Sequence, residues 1–320
     1  MAPSSTPRPA RRAVVVAGAL TAAGVALPTA SGGSDLRDQL GDAIGQTRAA
    51  WELLPPITVV DACQHWAHLA EGRPGDDWAA LRGQVALLHA RALADIGETH
   101  PALDRAEAAR KYARQIGDPQ THAWATLVAA EVHDAAQPGS VVPMRMAAIA
   151  AERAGKSWVG VHAAVVRACL IGRAGEPGMA RVVDAATDAD QLVGTLADPT
   201  PGEFTAPQAF AFIAVALTRV GMFVPARRRL ADVADAFSPR SQPGMASAIA
   251  IWQAGTELAA GDVLTAGAHA ARAVDIAQDR PTAWLADSIL AQNTRAGGQG
   301  GYGKVTARVA GWPSTLTGPV

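Results

Sequence analysis

The sequence predicts an all-α protein, a solenoid built from stacked helical hairpins. Composition is the first observation. Hydrophobic residues make up 49% of the 320 positions and charged residues 18%, an ordinary globular balance, yet aromatics reach only 5%. Alanine dominates the apolar half, and alanine has the highest helix propensity and lets helices approach closely. The second observation is periodicity: from residue 36 onward apolar residues recur at helical spacing. The third is punctuation, because Gly/Pro/Asp turn signals interrupt that pattern at nearly even intervals.

Residues 1–12 (MAPSSTPRPARR) are proline-rich and basic, and residues 13–27 (AVVVAGALTAAGVAL) are apolar. The order of basic, apolar and small-residue segments resembles an export signal, with Arg11-Arg12 placed as in a twin-arginine leader. No clean A-x-A site ends the run, and the favoured reading of 1–34 is a linker, with a cleaved signal as the alternative. The apolar run is 15 residues long, short of the roughly 20 that cross a bilayer. No membrane span is expected.

The β-branched run Ile57-Thr58-Val59-Val60 follows Pro55-Pro56 and is read as the opening of a helix that continues to Ala70. Breaks follow at Gly72-Arg73-Pro74-Gly75, Gly97, Gly117-Asp118-Pro119, Gln137-Pro138-Gly139, Gly155, Gly175-Glu176-Pro177-Gly178, Asp198 to Gly202, Gly221, Ser238-Pro239, Gly261-Asp262, Asp279-Arg280-Pro281 and Gly297-Gly298. Glycine takes the left-handed conformation that ends a helix, proline enters the next first turn, and aspartate or serine caps it. Taking every second break, the steps from Gly97 through Gln137, Gly175, Gly221 and Gly261 to Gly297 are 40, 38, 46, 40 and 36 residues. A period of that size with two helices per unit marks a helical-hairpin solenoid.

The two helices of each unit differ in character. The second helices, RAEAARKYARQIGDP (105–119), MRMAAIAAERAGK (144–156) and AGAHAARAVDIAQDRP (266–281), carry alanines at three- and four-residue steps. The first helices, HAWATLVAAEV (122–132), WVGVHAAVVRACLIG (158–172) and AFAFIAVALTRVG (209–221), are apolar on most sides and are expected to lie sandwiched between neighbours. Stacking then buries a continuous core through neighbour contacts alone, without long-range connections. The solenoid is assigned to residues 35–296 and a disordered Gly/Pro-rich tail to 297–320, with Trp312 docking locally.

The stretch RKYARQIGDPQTHAWATLVAAEV (110–132) resembles the tetratricopeptide units of actinobacterial regulators. The blocks GEFTAPQAFAFIAVALTRVGMFVPARRRLADVADAF and GMASAIAIWQAGTELAAGDVLTAGAHAARAVDIAQ are similar to the C-terminal solenoid of large helix-turn-helix regulators of that lineage. The resemblance covers residues 10–296 and implies a tetratricopeptide-like (TPR-like) α-solenoid with a regulatory role. Those regulators carry an N-terminal helix-turn-helix domain of some 60–80 residues. Here a dozen Pro/Ser/Arg-rich residues precede the apolar stretch, too few for three helices, so direct DNA binding is not expected.

Charge agrees with that exclusion. The net charge is -1, from 28 basic and 29 acidic side chains, and Arg227-Arg228-Arg229 is too short a run to mark a nucleic-acid site. Cys63 and Cys169 fit no zinc or disulfide pattern. Cys63, His65 and His68 form C-x-H-x-x-H, but a helix turns Cys63 away from the two histidines, so no metal site is expected. No nucleophile elbow, P-loop, H-E-x-x-H or dinucleotide fingerprint occurs, and neither catalysis nor a cofactor is expected. The expected function is binding of a protein or peptide in the concave groove of the solenoid. Isolated polar residues on the apolar first helices, His162, Arg167, Gln208 and Arg219, are the candidate contacts. The expected location is cytoplasmic, or exported if the first segment is a leader.

Overall fold

The computed structural model describes residues 17–21, 23–26, 28, 33–173, 179–200 and 202–312. The break at Gly175-Glu176-Pro177-Gly178, the sequence beyond Trp312 and most of the N-terminal segment lie outside them. Among the described residues every regular element is helical. The order is α1 (Gly33–Ala49), a 3-10 turn (Trp51–Leu53), α2 (Pro56–Ala70), α3 (Asp76–Asp95), α4 (Thr99–Ile116), α5 (Pro119–Ala136), α6 (Val141–Ala154), α7 (Trp158–Arg173), α8 (Met179–Val193), α9 (Ala206–Arg219), α10 (Phe223–Ala234), α11 (Pro243–Ala259), α12 (Val263–Ala277), α13 (Ala283–Ala296) and α14 (Tyr302–Val309).

The turn chemistry sets these boundaries. At Gly117-Asp118-Pro119, Gly117 closes α4 at φ 68°, Asp118 accepts from the Gln120 and Thr121 amides at 2.9 and 3.0 Å, and Pro119 opens α5. Thr205 and Gln208 form a reciprocal capping box at the start of α9. Asp262 and Thr282 cap α12 and α13.

Helices pack as consecutive pairs, α3 with α4, α5 with α6, and so on to α13 with α14. The second helices present small stripes: Ala102, Ala106, Ala109 and Ala113 on α4, and Pro143, Ala147, Ala150 and Ala154 on α6, are buried at four- and three-residue steps. A stripe without long side chains lets the axes approach, as Gly83 on α3 shows: a Cβ there would sit 3.3 Å from the Tyr112 Cβ of α4. The all-α solenoid of hairpins expected from the period is the observed architecture.

Two expectations are corrected. The chain does not rely on neighbour contacts alone. The first helices touch in the order α3, α5, α7, α9, α11, α13, and α13 returns to α3. Arg280, 7% exposed, makes the clasp: its guanidinium donates to the Trp51 and Leu54 carbonyls at 3.3 and 3.1 Å and to Asp95 at 3.1 Å. Glu52 accepts the Met245 amide at the start of α11 at 3.0 Å. The solenoid therefore curves far enough for its ends to meet. The second correction concerns the tail. Residues 302–309 form α14, with Tyr302, Val305, Val309 and Trp312 buried in the last apolar cluster. Glycine richness there reflects a tight return, in which Gly300 lies against the backbone of Val263 and Gly267, not a loose end. Trp312 packs locally, as expected. At the other end Leu20 and Val25, 1% and 2% exposed, pack into the first cluster, so part of the segment read as a linker belongs to the core.

Candidate ligand-binding face

The first helices share one face, and rings line it. His162 on α7, Phe212 on α9, Trp252 on α11 and Trp284 on α13 form a connected series, with centroids 5.5, 5.0 and 6.0 Å apart and edge-to-face angles of 67°, 64° and 74°. Phe204, from the segment between α8 and α9, stacks on His162 at 4.1 Å and 6°. Trp284 remains 41% exposed at the end of the series.

Residues 194–200 and 202–205 run along this face. Trp158 donates its indole N–H to the Ala197 carbonyl at 2.9 Å. Glu203 accepts the Thr200 amide at 2.8 Å. Gly202, at φ 83°, lies against the end of α1, where an added Cβ would sit 2.9 Å from the Arg48 carbonyl. Between this segment and helices α1, α3, α5 and α7 lies a cavity of about 470 Å³. Its walls include Arg48, Leu87, Leu88, Arg91, Trp124 and Trp158. That size is typical of sites for small ligands.

The cavity is electrostatically unusual. The Arg91 guanidinium lies over Trp51 at 4.6 Å and over Trp124 at 5.3 Å, and Arg48 lies over Trp124 at 5.0 Å. Burial lowers the pKa of both guanidinium groups, offset in part by nearby carboxylates. The carboxylates around Arg91 are engaged elsewhere: Asp95 with Arg280 at 3.1 Å, Glu131 with His162 at 3.3 Å, and Glu52 with the Met245 amide.

The four predicted contact residues do not form one site. His162 is on the ring-lined face. Arg167 is exposed and lies five residues on, about 140° round the helix, off that face. Gln208 accepts the Thr205 amide at 2.8 Å as half of the capping box. Arg219 joins two first helices: it donates to the Cys169 carbonyl of α7, and burial lowers its pKa. The approach is close, since a Cβ on Gly172 would meet the Arg219 Cβ at 3.0 Å. The arginines of 227–229 make ion pairs, Arg227 with Glu257 and Arg229 with Asp190.

Cys63 is buried while His65 and His68 are exposed, so the C-x-H-x-x-H residues do not converge. No cluster of three potential metal ligands occurs among the described residues. Burial raises the pKa of both thiols, that of Cys169 to about 11, which leaves them unreactive as thiolates. None of the described helices is long and apolar enough to cross a membrane.

Apart from His162, the rings are not among the residues that the sequence points to, and neither are Arg48 and Arg91. A signal existed, because one aromatic recurs on successive first helices: Trp124, Trp158, Phe212, Trp252 and Trp284. A scan for isolated polar residues passes over it. A scan of protein-family models found none that matches the chain, and a search of curated proteins found no matching relative.

Proposed function

We propose that the protein is a non-enzymatic helical-repeat module that binds a protein or peptide segment on the shared face of its first helices. A regulatory role related to the TPR-like regulators follows from the sequence resemblance. The observation that carries the reading is the connected ring series from His162 to Trp284, whose last member stays exposed. Aromatic rings offer large contact area at small entropic cost and dominate recognition surfaces. Peptides selected from a display library on the intact chain should lose at least about tenfold in affinity on Trp284→Ala. They should keep their affinity on Arg167→Ala, whose side chain points off that face. Equal binding by Trp284→Ala and the parent would reject the face.

A cytoplasmic site of action belongs to the same reading. Burial of Leu20 and Val25 against the first cluster favours a segment kept with the fold over one cleaved as a leader. Mass spectrometry of the natural N-terminus tests it: a start near Ser31 would favour export.

A further inference from the structure

We infer that the cavity bordered by Leu196, Ala197, Asp198 and Glu203 is a binding site for a small organic carboxylate with a compact apolar body. Among the described residues, the buried and half-buried arginines mostly bond to a carboxylate or a carbonyl: Arg82 to the Ala70 and Arg73 carbonyls, Arg229 to Asp190, Arg280 to Asp95. Arg48 and Arg91 differ. The Arg48 guanidinium carbon lies 5.0 Å from the Trp124 ring centre and that of Arg91 4.6 and 5.3 Å from Trp51 and Trp124, and among the described residues neither side chain makes a hydrogen bond or ion pair. A guanidinium without a protein acceptor keeps its planar fork of N–H groups free, and that fork matches a carboxylate in plane. A half-buried charge without a partner costs free energy. Here two such charges line one cavity: Asp95, Glu131 and Glu52 offset the burial of Arg91 only in part while bonding to Arg280, His162 and the Met245 amide, and Asp198 and Glu203 stand on the same wall. Glu203, the acidic neighbour of Arg48, is tied to the Thr200 amide. A bound anion supplies the missing partner.

The remaining walls specify the body of the ligand. Leu87, Leu88, Trp124 and Trp158 present apolar surface beside the two charges, which suits a hydrocarbon or aromatic group and wastes a bare inorganic anion. Leu196, Ala197, Asp198 and Glu203 border the space on one side, and its volume of about 470 Å³ suits a small molecule. The site is separate from the exposed Trp284 end of the face proposed for peptides.

The test is calorimetric titration of the intact protein with 3-phenylpropanoate, 3-phenylpropanamide and inorganic phosphate. The acid should bind one to one, the amide at least about tenfold more weakly, because charge-assisted hydrogen bonds are lost. Arg91→Gln and Arg48→Gln should each weaken the acid by at least about tenfold with unchanged circular dichroism. The acid-to-amide comparison on the parent protein stands even if a variant fails to fold. Equal binding of acid and amide, parent-like binding by both variants, binding of phosphate alone, or no binding by any of the three probes would each overturn the assignment. None of these outcomes bears on peptide selection by the Trp284 end, so the two readings fail separately.

Discussion

His89 shows what a single buried residue does to this fold. It lies on α3, 3% exposed, and its Nε2 has no hydrogen-bond partner. Burial, with a smaller contribution from Arg105, lowers its pKa to about 4. The unfolded chain binds this proton near pH 6.5 and the folded chain only near pH 4. Between those values the unfolded state holds more protons, so stability falls as pH drops from about 6.5 towards 4. The full difference is on the order of 3 kcal/mol. His122 and His269, also lowered by burial, add to the same slope. His89→Leu should therefore raise the melting temperature relative to the parent at pH 5 more than at pH 8. A pH-independent difference between the two proteins would show that His89 titrates normally.

Each element depends on small residues at fixed places, and α14 is the sharpest case. The loop before it sets the Gly300 carbonyl against Gly267 of α12, in space that a Cβ would need. The intruding atom is backbone, so relief requires moving the loop. Gly267→Ala should destabilise by about 1–3 kcal/mol, the usual cost of overpacking, with α14 released first. Tyr302 anchors that helix, fully buried and donating to Gln292 Oε1 at 2.7 Å. Tyr302→Phe should cost about 1 kcal/mol by denaturant titration, and Tyr302→Ala about 3–5 kcal/mol. At this scale much was readable in advance. The helix from Pro56 to Ala70 and the Gly117-Asp118-Pro119 junction rest on local backbone preferences, which local sequence records. The α14 helix was not readable, because its glycines look like a flexible tail until Gly267 and Tyr302 are seen in contact with their partners. Arg219 and Gln208 stand out in the sequence as isolated polar residues. Their roles, a carbonyl clamp and a cap, depend on neighbours that spacing alone does not name.

At the scale of the molecule, the closing of the helix circuit matters most, and it was invisible in the repeat pattern. A period near 40 residues specifies how each hairpin meets the next, and says nothing of residues 185 to 229 positions apart. Arg280 sits in a Pro-containing turn and reads as an ordinary surface arginine. In the fold it is buried and supplies donors to two carbonyls and one carboxylate, while Trp51 lies 5.7 Å from its guanidinium carbon. It also determines the chemistry next door, since by holding Asp95 it denies that carboxylate to Arg91. Arg280→Ala should therefore act twice. It should destabilise by about 1–3 kcal/mol, because the Trp51 and Leu54 carbonyls lose their donor, and loosen the contact between α13 and α3. Small-angle scattering should report a larger radius of gyration for the variant. Freed from Arg280, Asp95 stands one helical turn from Arg91 and becomes its natural partner. The variant should then bind anions more weakly in the cavity although no cavity residue has changed. Adding Asp95→Asn to Arg280→Ala should restore that binding without restoring the clasp. Unchanged scattering with a stability loss under about 1 kcal/mol would mean that other contacts hold the ends together.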